Sequence, residues 1–133
     1  VPLLIEIKPT RRIREIVEAV TQRCARRTNS VAIQSFHPWI VRTAKNRGFP
    51  VGQLVEQQTL DMSVARRLQS RTIASNIIVR PDFMAIEVPL LKSRTVNYWH
   101  QRLPILAWTV TNQTDADSCR RAGAGMIFEG FRP

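Results

Sequence analysis

Short apolar runs bounded by turn residues recur along the chain, and between them the apolar positions shift to helical spacing. The first run, Leu3-Leu4-Ile5-Glu6-Ile7-Lys8-Pro9, predicts a strand with Leu4, Glu6 and Lys8 on one face and Leu3, Ile5 and Ile7 on the other. A strand apolar on both sides at its start and charged on one side at its end fits a parallel strand of an α/β barrel. There helices cover the outer face, and the inner face meets solvent only at the carboxyl rim. An exposed edge strand carrying a solvated ion pair fits the same pattern.

The rest of the chain favours the barrel. Thr10 is placed to cap a helix from about Arg11 to Arg26, with Ile13, Ile16, Val17 and Val20 on one face. Val31 to Phe36 reads as the next buried strand, and a helix from Pro38 to about Arg47 follows, with proline tolerated in its first turn. Val51 to Val55 is a third strand. Between Glu56 and Arg80 the pattern is least clear: Leu60 to Leu68 has helical composition, and Ile77 to Val79 suits a strand or an apolar loop. Phe83 to Ile86 is a fourth strand, Pro89 opens a helix to about Gln101, and Ile105 to Val110 is a fifth strand. In the last helix Asp115 and Asp117 fall in the first turn, where carboxylates complement the helix dipole. They are structural rather than an acid/base pair. Gly123 ends that helix, and Gly125 to Glu129 is the final strand. Six strands alternating with helical segments predict a parallel sheet with right-handed crossovers. The expected fold is a TIM-type (β/α) barrel, incomplete at about six βα units, in one domain spanning residues 1–133.

Length agrees with incompleteness, since 133 residues fall well short of the roughly 250 of a full eight-stranded barrel. The chain opens at Val1 almost directly on a strand, as a portion of a longer barrel would. Such a portion exposes a strand edge before Leu3 and another after Phe128, so self-association is expected. No apolar stretch nears the roughly 20 residues of a membrane span. The formal net charge of +10 raises the question of a polyanionic partner. The arginines, however, fall in the expected helices, as Arg11, Arg12 and Arg14 or Arg120 and Arg121 do, without interleaved aromatic platforms. Solvated outer helices explain them better than nucleic acid. Cys24 and Cys119 have no metal or redox spacing and suit reduced thiols, which points to the cytoplasm.

Four stretches resemble the glycerophosphodiester phosphodiesterase family: Ile5-Glu6-Ile7-Lys8-Pro9, Ile33-Gln34-Ser35-Phe36-His37-Pro38, Leu106-Ala107-Trp108-Thr109-Val110-Thr111-Asn112, and Ala122-Gly123-Ala124-Gly125-Met126-Ile127-Phe128-Glu129. The family shows a Glu-x-Lys strand, a Ser-Phe strand, a Trp-Thr-Val strand and a terminal Gly-hydrophobic strand in this order. The resemblance makes the chain strands three to eight of such a barrel. It implies hydrolysis of a glycerophosphodiester to sn-glycerol 3-phosphate and an alcohol, with one Mg or Ca ion. Glu6 matches the metal-binding glutamate and Lys8 the lysine that holds the substrate phosphate. Trp108 matches the aromatic walling the glycerol side, with Phe36 as a weaker companion; packing alone also accounts for an indole in a barrel strand.

Two departures temper this. The family's His-Arg-Gly and Glu-Asn-Thr motifs, a further metal-binding aspartate and a second histidine precede its Glu-x-Lys strand and are not present. One glutamate cannot satisfy an ion that takes six or more oxygens, so the chain alone is expected to be inactive. His37, just past the Ser-Phe strand, is the nearest substitute for a catalytic imidazole, and His100 suits a surface helix end. At the other terminus Phe128-Glu129-Gly130-Phe131-Arg132-Pro133 stands where the family has Thr-Asp before a proline, and Glu129 suits either a substrate contact or a salt bridge. The rival readings are a non-catalytic scaffold and a basic polyanion-binding module.

Overall fold

A computed structural model describes residues 2–57 and 79–133. The expectations for residues 60–68 and 77–78 lie outside them. Among the described residues the order is β1 (Leu3–Glu6), α1 (Ile13–Cys24), a 3-10 segment (Ala25–Ser30), β2 (Val31–Ser35), α2 (Pro38–Lys45), β3 (Val51–Val55) and β4 (Phe83–Glu87). There follow a second 3-10 segment (Val88–Lys92), α3 (Arg94–His100), β5 (Ile105–Val110), α4 (Gln113–Ala122) and β6 (Gly125–Phe128). The strands form one parallel sheet in sequential order, β1 to β6.

The sheet is curled. Phe36, at the end of β2, and Trp108, on β5, meet edge to face with ring centroids 5.8 Å apart. Three strand spacings would hold perpendicular side chains about 14 Å apart on a flat sheet. The alternation sorts the two faces. Ile7, Val31, Ile33 and Val51 pack with Val17, Ile40, Val41 and Ala44 of the first two helices. Met84, Ile86, Ile105 and Ala107 pack with Ala116 and Cys119 of α4. The inner, concave face carries a smaller cluster of Leu54, Phe83 and Ala85 with Ala32, Phe36, Leu106 and Trp108. Gly52 belongs to this face because only a hydrogen fits there: a Cβ would lie 2.1 Å from the Phe83 ring.

Local chemistry moves several boundaries. Thr10 does not cap α1; its hydroxyl accepts from the Arg12 N–H in the preceding turn, and the helix starts at Ile13. The helix expected from Pro89 to Gln101 divides at Ser93, whose extended backbone and hydroxyl, accepting from Val96 N–H, start α3 afresh. Asn112 caps α4, and Asp115 lies in its first turn. Asp117 lies a turn further on and pairs with Arg120 at 2.8 Å. Gly123 ends α4 with φ of 67°, the left-handed cap that glycine adopts without strain. Both cysteines are free thiols, and Cys119 is wholly buried, with its pKa raised chiefly by that burial. The outer strands leave Leu3, Leu4 and Phe128 exposed. No described helix is long and apolar enough to cross a membrane.

Candidate active-site rim

The end of β1 is fixed by its neighbour before any functional group is considered. Ile7 N–H donates to the Gln34 carbonyl at 2.9 Å, extending the ladder one residue past the strand. The buried Ser35 hydroxyl donates to the Ile7 carbonyl at 2.6 Å and accepts from His37 N–H at 3.1 Å. Gln53, wholly buried, places its Nε2 within 3.1 Å of the Ser35 carbonyl and 3.0 Å of the Phe36 carbonyl. These bonds hold the two chain ends from which Glu6, Lys8 and Phe36 project.

With Ile5 and Ile7 packed under α1 and α2, alternation turns Leu4, Glu6 and Lys8 to the concave side. Glu6 and Lys8 form an ion pair of 2.7 Å, with the Lys8 side chain 79% exposed and that of Glu6 29%. A pair this open is worth at most about 1 kcal/mol, so an incoming anion can take the ammonium from Glu6 at little cost. Gln34 is level with Glu6 in the register, buried, and its Oε1 has no hydrogen-bond partner among the described residues. Across the curl stand Phe36 and Trp108. The Trp108 indole Nε1–H is buried and also has no partner among the described residues. Buried indole N–H groups ordinarily find an acceptor, and among the described residues this one has none.

Alternation thus puts Glu6 and Lys8 on the concave side, the face on which Phe36 and Trp108 meet. Glu129 stays exposed just past β6, where its N–H donates to the Val110 carbonyl. Two further carboxylates escaped the sequence reading. Glu87 ends β4, in register with Trp108, and its Oε2 accepts from Gln57 N–H at 2.6 Å. Glu56 follows β3, two residues after the inward-facing Leu54. The signal that finds them is alternation counted forward from Phe83-x-Ala85 and from Leu54.

The described residues do not fit Mg or Ca by themselves. No group of three or more metal-binding side chains occurs among them. Glu6 can offer one carboxylate, against the six or more oxygens that such ions take.

His37 caps the helix that follows it. Its Nδ1 accepts from Trp39 N–H at 3.3 Å, so the ring caps α2 with the proton on Nε2. Burial lowers its pKa from the usual 6.5. A depressed histidine pKa means that the neutral ring is the one the fold favours. The cap's stabilisation is therefore complete above about pH 6.5 and fades as pH falls through the lowered folded value. Thermal unfolding across this range should show that loss, and His37→Asn, which caps without titrating there, should flatten it. His100 ends α3, with its ring 3.5 Å from where a Gly123 Cβ would stand, on the helix-covered side.

No family model and no curated relative matches the sequence. Solved structures do. A protein assigned as a glycerophosphoryl diester phosphodiesterase from Silicibacter pomeroyi matches with a TM-score of 0.75 and 18% identity over 96% of this chain and 46% of its own. The glycerophosphodiester phosphodiesterase of Thermotoga maritima matches with a TM-score of 0.66 and 18% identity, over 94% of this chain and 53% of its own. A glycerol uptake operon antiterminator regulatory protein from Listeria monocytogenes is more distant, with a TM-score of 0.54 and 10% identity over 96% of this chain and 80% of its own. The chain thus spans about half the length of the phosphodiesterase structures it matches. These likenesses support the family suspected from the sequence: over about half their length, the chain carries the fold of solved glycerophosphodiester phosphodiesterases.

Proposed function

We propose that the concave rim belongs to a hydrolase related to the glycerophosphodiester phosphodiesterases, cleaving a glycerophosphodiester to sn-glycerol 3-phosphate and an alcohol. The observation that carries this is an exposed acid–base pair at the end of β1 on the same concave side as the Phe36–Trp108 aromatic pair. On this reading the six strands are strands three to eight of the barrel. Lys8 binds the phosphate and stabilises the charge it gains during displacement, while Trp108 and Phe36 wall the glycerol. The Trp108 Nε1–H, which has no partner among the described residues, donates to a phosphate or hydroxyl oxygen.

A Mg or Ca ion would polarise the phosphoryl group when bound. Glu6 would be one of its ligands, and the remaining donors lie outside the described residues. On the family resemblance the proton-transfer histidines lie outside them too, and His37 Nδ1 accepts from Trp39 N–H in its helix cap. With free thiols at Cys24 and Cys119, the protein suits the cytoplasm. The exposed edges at β1 and β6 favour self-association.

The test is a chimera in which the part of the Thermotoga maritima enzyme without a counterpart here is fused before β1. Supplied with Mg or Ca, the chimera should release sn-glycerol 3-phosphate, whereas the 133-residue chain alone should release none. A chimera that folds and stays inert contradicts the reading. It would favour a non-catalytic barrel acting as a scaffold or polyanion binder.

A further inference from the structure

The same rim bears, on its outer side, a feature that the phosphodiester reading does not use. Trp39, in the first turn of α2, is 60% exposed. With Arg42, Thr43 and Asn46 of α2 and Ile13 and Arg14 of α1, it lines a cleft of about 340 Å³. Arg11 and Arg12, in the loop that leads to α1, are exposed beside it, and Glu15 pairs with Arg12 at 3.6 Å. Ile16, one turn from Ile13 on the same helix face, is also exposed.

We propose that this cleft and its arginines dock the protein on an anionic phospholipid bilayer, with Trp39 seated at the level of the headgroups. The inference stands independently of the proposed phosphodiester site. Charge complementarity selects the partner's sign: Arg11, Arg12, Arg14 and Arg42 stand against Glu15, while Glu18 of α1 is taken up by Arg47 at 3.6 Å, in a chain whose net charge is +10. The indole selects its kind, because an apolar ring with a polar edge favours the boundary between acyl chains and water. Nucleic acid fits less well. The Arg42 guanidinium lies 5.6 Å from the centre of the Trp39 ring, over a face that a stacked base would need. The first turns of α1 and α2 lie at the carboxyl rim, so a bilayer held there brings lipid-derived molecules beside Glu6 and Lys8.

Co-sedimentation of the full chain with vesicles of phosphatidylcholine, alone or mixed with phosphatidylserine, tests this. The mixed vesicles should bind the chain and the neutral ones should not. Arg14→Gln with Arg42→Gln should lower binding roughly thirtyfold, at the usual contribution of each basic side chain near an anionic surface. Trp39→Ala should lower it severalfold. Arg23→Gln with Arg26→Gln, the same charge change at the far end of α1, should alter it little. All three variants change exposed side chains, and circular dichroism checks their folding. Equal binding to neutral vesicles, or equal loss in the Arg23/Arg26 variant, overturns the proposal. Binding to duplex DNA that depends on Arg14 and Arg42, without binding to vesicles, assigns the surface to nucleic acid instead.

Discussion

Lys8→Ala should weaken binding of a glycerophosphodiester to the concave rim by roughly thirtyfold, the worth of about 2 kcal/mol for a hydrogen bond between charged groups. The loss has two parts. The ammonium no longer meets the phosphate, and Glu6, left without its partner at 2.7 Å, repels it. Glu6→Gln measured without added metal separates them, because it should leave affinity unchanged or raise it. The Lys8 ammonium is then free of its intramolecular carboxylate. Isothermal titration of both variants gives the comparison. A Lys8→Ala variant that binds as the parent does would show that this pair is the solvated edge ornament the strand pattern also allowed.

Gly52→Ala should destabilise the fold by about 3 kcal/mol, the upper part of the range for overpacking a tight interior. The added methyl would lie 2.1 Å from Phe83 Cε2 and 2.3 Å from its Cζ, so the ring has to move. It has little room, being buried against Leu54 and Ala85 on the inside of the curl. For a domain of this size the melting temperature should fall by about 10 °C. Phe83→Leu in the same chain should recover part of the loss by opening space under the new methyl. Independent, additive effects of the two substitutions would show that they do not meet across β3 and β4.

The elements that the sequence made legible were those with an unambiguous period. Val51 to Val55 and Ile105 to Val110 are strands with the expected ends, because each is a short segment rich in apolar residues set between turn signals. Glu6 and Lys8 could be placed on one face by counting twos, and Trp108 and Phe36 through the resemblance. Their contact needed the curl, which depends on how three intervening strands twist and pack. Two helix starts were misjudged because a single hydroxyl decides them. Thr10 spends its oxygen on a turn, and Ser93 supplies the cap that divides the Pro89 helix. The role of His37 was hidden for the same reason: a cap is a side-chain geometry that spacing does not reveal. Phe83 to Ile86 reads as an apolar strand, and the strand runs one residue further, which puts Glu87 on the face of Phe83 and Ala85.

The most direct test of the concave rim as a phosphodiester site is a nuclear magnetic resonance titration of the chain with a glycerophosphodiester, following the Trp108 indole N–H and the Lys8 side chain. The account predicts shifts concentrated at Trp108, Lys8 and Phe36, with the indole proton moving as it gains an acceptor, and their disappearance in Lys8→Ala. Shifts confined to the arginines of the outer helices, or an indole proton that stays where it is at saturating ligand, would contradict it.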